Sequence, residues 1–535
     1  MGNTDVQDKT LLESQIGSPA RAAPAGLLSR GLAGVAILAM PIAVIGSAAT
    51  GSGASAETLR GALRSAYKTN PQIEAERANL RATDESVPRA KSNYRPSLTF
   101  QADAGVQGTN TVPDSVTEGK THPRGYTLSA RQQIFRGFRT RNAVNEAEAN
   151  IRAGRETLRS TEQSVMLDGV TAYMNVVRDQ AIVKLRRNNV RVLSRNLKAT
   201  QDRFSVGEVT RTDVAQSQAR RAGAVSALDL ARANLKSSRA NFHRVIGRVA
   251  GHLREPRVPM SFLPKTLRGA RSLAERENPN VVAALYFEQA SRYAVDQILG
   301  EFLPTFNIDA QYSNRYNSSR VTKRTETGSV IGTITVPLYQ GGEVSARVRQ
   351  AKHLHVRRIQ LVHQARTEVR EEAIAAWSQL HASRGQLRSD LAQVRANQIA
   401  LNGVREEEKV GQRTLLDVLD AEQELLDARV KLVTTKRNLI VNAYRVIAST
   451  GRLTAQDLRL SSKVYDTAAH YQDVRRKWWG ISITRPDGQH ERFNFWNSHG
   501  RGHAPYKLGK TPPKAPTRKP AGTQSKKSTK AAARK

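Results

Sequence analysis

No cysteine occurs in this chain of 535 residues. Disulfides and thiolate metal sites are therefore excluded, and the absence is compatible with an oxidising compartment without proving one. Apolar residues are scarce as well, at 39% of the chain against 24% charged. Long polar helices with narrow apolar seams give that balance, and so does a partly unstructured chain. After residue 56 no run of eighteen apolar residues exists, which excludes a later transmembrane helix. Acidic residues fall short of basic ones, 47 against 84, for a net charge of +37. Nucleic acid, an anionic membrane surface or an acidic partner could each answer such a charge. Its distribution argues against nucleic acid. From Asp466 to Lys535 sixteen Lys/Arg stand against four Asp/Glu, and the remainder is spread along helical stretches as on a solvated face. No RNA-binding aromatic motif or zinc-finger pattern accompanies it. A Gly-rich phosphate loop, a nucleophile elbow and a cleft pair of carboxylates are missing too, so neither an enzyme nor a cofactor is expected. His353, His355 and His363 are the nearest approach to a metal cluster, but the first two, at i and i+2, face opposite ways on a helix.

What is present begins with an address. Arg21 and Arg30 precede the apolar run GLAGVAILAMPIAVIGSAA (31–49), and Ala54-Ser55-Ala56 follows. That order is a secretory signal peptide over 1–56, with Pro41 and the A-x-A site favouring cleavage over a retained membrane anchor. Without a cysteine after the site, the mature chain is not a lipoprotein.

The rest repeats itself. Asn70-Pro71 recurs as Asn278-Pro279 and Pro96 as Pro304, both 208 residues on. Gly137, Gly207, Asp213 and Gly247 recur as Gly341, Gly411, Asp417 and Gly451, all 204 residues on. The chain reads as two copies of one unit, 57–255 and 268–466, with a linker at 256–267 and a basic, disordered tail over 467–535. In each copy a helical stretch (57–93, 268–300) leads to two segments of period-two alternation. In the first copy these are LTFQADAGV and YTLSARQQIF (126–135), joined by a polar loop at 107–125. In the second they are FNIDAQY and SVIGTITVPLY (329–339), joined at 313–328. Very long helical patterns follow at 140–203 and 343–408, about 96 Å each at 1.5 Å per residue. Helices about half as long come next, at 210–247 and 412–450.

The last helix carries two heptad series: Leu419, Leu426, Val433, Ile440 and Ile447, and, one position back, Val418, Leu425, Leu432, Leu439 and Val446. Two seams roughly 100° apart ask for a neighbour on each flank, as in a closed helical barrel or as the wide apolar face of an ordinary bundle. Four strands of membrane-spanning length cannot close a barrel, and lipid tolerates no unpaired edge. Strands that span a membrane here must therefore share one barrel with other copies of the chain.

The string VGQRTLLDVLDAEQELLDAR (410–429), its poorer echo VGEVTRTDVAQSQARRAGA (206–224), the N-P…P spacing and VPLYQGG (336–342) together resemble the TolC family of outer-membrane channel subunits, over about residues 57–466. The resemblance implies an α+β membrane protein and a homotrimer. Four strands per chain would make a twelve-stranded outer-membrane barrel, continued through the periplasm of a Gram-negative bacterium by a long α-helical barrel. It implies a passive exit duct for efflux or type I secretion, with a periplasmic adaptor protein, an inner-membrane transporter (ABC or proton-driven) and outer-membrane lipid as partners. Asp417 and Asp420 match the family's carboxylate ring at the periplasmic pore entrance. Arg413 matches the arginine that holds the gate shut through the neighbouring chain, at positions matching Thr212 and Asp213. Glu408 stands where the family has a latch tyrosine, so that constraint is missing or replaced. Val206-Gly207 and Val410-Gly411 match the tip turns that meet the adaptor.

Part of this has a local explanation. Thr210-x-x-Asp213 and Thr414-x-x-Asp417 fit helix N-terminal capping, and the tip glycines suit a chain reversal with no partner at all. Asp420 fits no capping role, and its counterpart in the first copy is Gln216. The reading that competes with a duct is a periplasmic, basic helical scaffold binding polyanions or the cell wall.

Overall fold

The computed structural model describes residues 57–483 except 111, 113–115, 117–118 and 461–463. The signal-peptide expectation and most of the basic tail lie outside the described residues. The chain opens with α1 (Leu59–Thr69), α2 (Pro71–Asp84) and α3 (Ser86–Lys91), then β1 (Ser97–Ala104), the short β2 (Gln107–Thr109) and β3 (Gly119–Thr121), and β4 (Arg124–Arg136). Helices α4 (Arg139–Ser205) and α5 (Arg211–Ile246) follow, and α6 (Leu267–Glu277) and α7 (Pro279–Leu299) precede β5 (Thr305–Tyr316) and β6 (Arg324–Thr335). The chain continues through α8 (Glu343–Lys409) and α9 (Leu415–Ser449) to a six-residue α10 (Ala469–Val474).

Each predicted leading helical stretch is broken at its Asn-Pro, and the side chains show why. Asn70 Oδ1 accepts from the backbone of Gln72, capping α2, while its Nδ2 donates to the Val245 carbonyl in the last turn of α5 at 3.0 Å. Asn278 does the same for α7 and Ser449, again at 3.0 Å. One amide thus satisfies an orphan donor at a helix start and an orphan acceptor at a helix end. Proline at the first helical position has no N–H to lose.

Strands β1, β4, β5 and β6 form one antiparallel sheet in the order β1-β4-β5-β6. The second hairpin loop is shorter than the sequence suggests, because β5 runs on to Tyr316 and β6 starts at Arg324. The first loop carries the β2–β3 ladder. The last strand stops at Thr335, four residues before its expected end at 339; Pro337, which lacks an N–H, follows two residues on. Register sorts the faces. Leu98, Ala130, Ala310 and Val330 lie side by side, as do Phe100, Leu128, Tyr312 and Gly328. Phe100, Tyr126 and Tyr312 form an aromatic row with centroids 6.2 and 6.3 Å apart. On the other face Arg131 meets Asp309 at 2.5 Å, and Arg315 reaches over the bare backbone of Gly125 to Asp103 at 3.0 Å. The apolar face is left open: Leu98, Phe100, Val330 and Ile334 are 73, 67, 76 and 68% exposed. In water that would be an unfavourable surface, whereas an apolar outer and a charged inner face suit lipid and lumen.

The main core lies where α1, α4, α5 and α9 meet, around Tyr173, Phe242, Leu63, Ile246 and Ile447. Burial pushes the Tyr173 phenol up to about 12, and its hydroxyl sits 2.7 Å from the carbonyls of Glu57 and of Arg254. The two seams of α9 find two neighbours. Leu419 packs with Leu193 of α4 and Ala224 of α5, and Ile440 and Ile447 enter the main core. Val418 and Leu425 pack on Leu401, and Leu439 and Val446 on Ala376 and Leu380, all three on α8. Among the described residues no helix is long and apolar enough to cross a membrane.

One expectation is corrected. The chain from about residue 470 was expected to lack order, yet α10 and the residues to 483 are structured. Buried Asp84 holds His470 at 3.1 Å, and the Tyr471 ring lies between the guanidinium groups of Arg155 and Arg475. Composition alone does not reveal such partners: Asp84 lies 386 residues before His470, and Arg155 lies on the far side of the whole second copy from Tyr471.

Candidate functional site at the hairpin tips

Both long helices end in the same turn. After α4 the Gly207 and Glu208 amides donate to the carbonyls of Phe204 and Arg203; after α8 those of Gly411 and Gln412 donate to Glu408 and Glu407. These are Schellman closures, and Gly207 and Gly411 take φ of +81° and +77°, where a side chain is strained. A side chain would meet nothing within 4 Å at either glycine, and Val206 and Val410 are 77 and 71% exposed. The tips therefore present bare backbone and a valine to whatever approaches.

The next helices start with matching capping boxes. Asp213 N–H donates to Thr210 Oγ1 at 3.3 Å and Thr210 N–H to Asp213 Oδ2 at 2.9 Å; Thr414 and Asp417 give the same two distances. The capping reading of the repeated Thr-x-x-Asp is thus visible in the bonds. Hydrogen bonds from the Thr210 hydroxyl and backbone hold Asp213 below its ordinary 3.8, and the Thr414 backbone and hydroxyl do so for Asp417. Because the folded-state pKa lies below the unfolded one, each box contributes fully above the unfolded value and is lost as pH falls through the lower, folded value. Deuterium exchange of peptides spanning 206–218 and 410–422, corrected for intrinsic rate, is therefore expected to stay constant from pH 7 to 5. Fraying is expected only below about pH 4. A loss of protection near pH 6 would overturn this.

The remaining tip residues are tied within the chain. Asp420, exposed on α9, accepts from Arg220 of α5 at 2.5 Å. Glu408 accepts from Arg203 of α4 at 2.8 Å, with Glu208 3.8 Å from the same guanidinium. Arg413 turns to Glu407 at 3.0 Å, and Thr212 is exposed as the second residue of α5. A turn further in, buried Glu422 accepts from Arg405 of α8 and from Asn196 of α4. The structure therefore brings Asp420 and Glu408 to arginines rather than to each other. Arg203, Arg220 and Glu422 were missed from sequence. The repeat holds only a hint of the two arginines: 204 residues beyond Arg203 and Arg220 stand Glu407 and Glu424, opposite in charge, yet neither is the partner found here, and Glu422 matches the neutral Gln218.

The family profile described as outer membrane efflux protein matches residues 62–248 and again 270–452. The chain belongs to the outer membrane efflux protein family. Among its relatives, outer membrane efflux protein BepC of Brucella suis is 36% identical over 455 residues, 85% of this chain and 98% of that protein. TolC of Escherichia coli is 25% identical over 386 residues, 68% of this chain and 76% of its own. Among solved structures the Campylobacter jejuni CmeC outer membrane channel shares the fold with a TM-score of 0.66 at 17% identity, over 78% of this chain and 89% of that one. As a member of this family the protein is an outer-membrane efflux or secretion channel, of the class that works with adaptor proteins and inner-membrane transporters.

Proposed function

We propose that three copies of this chain close one twelve-stranded outer-membrane barrel, continued by a tunnel of α4, α5, α8 and α9, and that the tunnel is gated at the hairpin tips. The observation that carries this is the sheet: four strands with one open apolar face, one charged face and unpaired edges at β1 and β6. A barrel needs at least eight strands, so the edges call for other copies, and the family's threefold assembly supplies twelve. The doubled family match supports reading 57–255 and 268–466 as two copies of one unit. The tip turns Val206-Gly207 and Val410-Gly411 are the surface offered to a periplasmic adaptor, with an ABC or proton-driven transporter beyond it. Asp417, Asp420, Arg413, Thr212, Asp213 and Glu408 line or hold the gate, the arginine ties keeping it narrow.

The cargo is chosen by the transporter. Relatives include an efflux protein, BepC, and an alkaline protease secretion protein, AprF of Pseudomonas aeruginosa, at 26% identity. The duct is passive in this reading, with the energy for transport supplied by the inner-membrane transporter. The polyanion-binding scaffold is disfavoured by the open apolar face of the sheet.

Purified in detergent, the protein is expected to run as a heat-resistant trimer and to conduct weakly in planar bilayers, with cation preference and block by divalent cations. Asp420→Ala is expected to raise conductance and relieve the block, because it removes both a carboxylate and a tie to Arg220. A trimer whose block ignores the substitution would move the constriction to Asp417 or Glu408. A soluble protein with steeply salt-dependent polyanion affinity would replace the duct by the scaffold.

A further inference from the structure

The segment after α9 takes a defined course. The Tyr465 amide donates to Tyr67 Oη at 3.0 Å, and the Arg77 guanidinium lies 4.7 Å from the Tyr67 ring and 4.8 Å from that of Tyr465. Five residues later His470 is on Asp84. Eight beyond that, Arg95 lies 4.7 Å over the Trp478 ring and donates to its carbonyl at 3.3 Å. The partners advance from 67 to 84 to 95 as the strap advances from 465 to 470 to 478. The strap therefore runs alongside α1 and α2 toward the sheet and reaches the residue two positions before Ser97, the start of β1.

Its end finds no apolar partner there. Trp479 is 90% exposed, and Trp478, Ile481 and Ile483 are 69, 61 and 58% exposed. Lys477 bonds the Ser482 carbonyl at 2.9 Å, folding these residues into one short loop. Next to it lies the foot of the open apolar sheet face, beginning with Leu98. Tryptophan pairs next to the ends of membrane strands suit the boundary between headgroups and acyl chains, where an apolar ring and a polar N–H are both satisfied. The charge points the same way. Arg475, Arg476 and Lys477 precede the loop, and the 52 residues after it hold thirteen Lys/Arg against two Asp/Glu. Basic residues beside an aromatic belt are drawn to anionic phospholipid.

We propose that residues 478–483 are an interfacial anchor. Trp478, Trp479, Ile481 and Ile483 dip into the periplasmic leaflet of the outer membrane at the foot of β1, and Arg475, Arg476 and Lys477 bind its phosphates. The inference rests on the strands spanning that membrane. The anchor fixes the height of the barrel in the bilayer from a strap that is itself clamped to the helices.

The test uses the full chain carrying Trp377→Phe and Trp496→Phe, so that Trp478 and Trp479 alone fluoresce. Trimers are reconstituted in vesicles of phosphatidylethanolamine and phosphatidylglycerol, with or without bromine near the headgroup end of the acyl chain. Brominated lipid is expected to quench emission roughly twofold, and iodide in the aqueous phase to quench less than in detergent-free peptide of the same sequence. Emission untouched by brominated lipid but open to iodide would mean that the loop faces water or cell wall. Emission shielded from both would mean that a neighbouring subunit covers it. Either result overturns the anchor. If Trp377→Phe weakens the trimer, the difference in quenching between wild type and the Trp478→Phe/Trp479→Phe variant reads the same quantity. Heat-resistant trimers and conductance are recorded on each preparation: their absence condemns the channel, whereas their presence without lipid quenching condemns only the anchor.

Discussion

Gly137→Val is expected to abolish the heat-resistant oligomer. Gly137 turns β4 into α4 with φ of +58°, and a Cβ there would stand 2.1 Å from the Gly300 carbonyl oxygen. The approach is mutual, since a Cβ on Gly300 would stand 2.2 Å from the Gly137 carbonyl. Two backbones therefore touch where the sheet joins the helices, beside Glu301, which Arg139 and Arg347 both grip. A β-branched residue would add about 1–3 kcal/mol of left-handed strain and about 1–3 kcal/mol of overlap. Domains have only about 5–15 kcal/mol in total. Gly341, 204 residues on, separates the two effects. It has φ of +62° but nothing within 4 Å of its Cβ position, so Gly341→Val should carry the strain alone and leave trimers that melt earlier. Unboiled gels and urea midpoints check both. Equal damage at the two glycines would show that the backbone contact with Gly300 contributes nothing.

The second large effect is expected at the tip. Arg203→Glu would set a third carboxylate against Glu408 and Glu208, and the open population should rise steeply. A part-exposed ion pair contributes about 0.2–1 kcal/mol, and reversal adds repulsion, so about 1 kcal/mol per subunit is a fair scale. Over three subunits that is about 3 kcal/mol, or roughly a hundredfold in the ratio of open to closed states. Adding Glu408→Arg restores opposite charges and should return most of the closed population, although Glu208 then keeps a partner as well. Single-channel open probability reads both variants. If the charge swap fails to rescue, the pair does not hold the gate and the change in open probability has another origin. High salt should act in the same direction as the reversal, more weakly.

Sequence periodicity carried most of the architecture. Alternation is strong where one strand face meets a different medium from the other, so all four long strands were visible, and the α9 seams asked for a neighbour on each flank without naming it. Boundaries were harder. Strand ends facing polar loops lose their alternation, which is why β5 and β6 turned out longer at the loop end. At the tips, capping was readable because Thr and Asp lie three residues apart in one chain segment. The ties Arg203–Glu408 and Arg220–Asp420 were not, because their partners are about 200 residues apart and exposed arginine is common in this chain. The strap was hidden for the same reason: its order comes from Arg77, Asp84 and Arg95, not from its own composition.

Neither α4 nor α8 contains a proline over its 67 residues. Proline is what most often bends a helix sharply, so each behaves as one rod from the sheet to the tip. From Tyr173 in the core to Ser205 the rod is about 48 Å long at 1.5 Å per residue, so a tilt of about 5° about the core moves the tip by about 4 Å. That is more than the reach of an ion pair. A lever of this length turns a small rotation among packed side chains into complete separation of the charged groups at its far end. It also means that a force applied at the tip by a docked protein is felt, multiplied by leverage, in the packing around Tyr173 and Phe242.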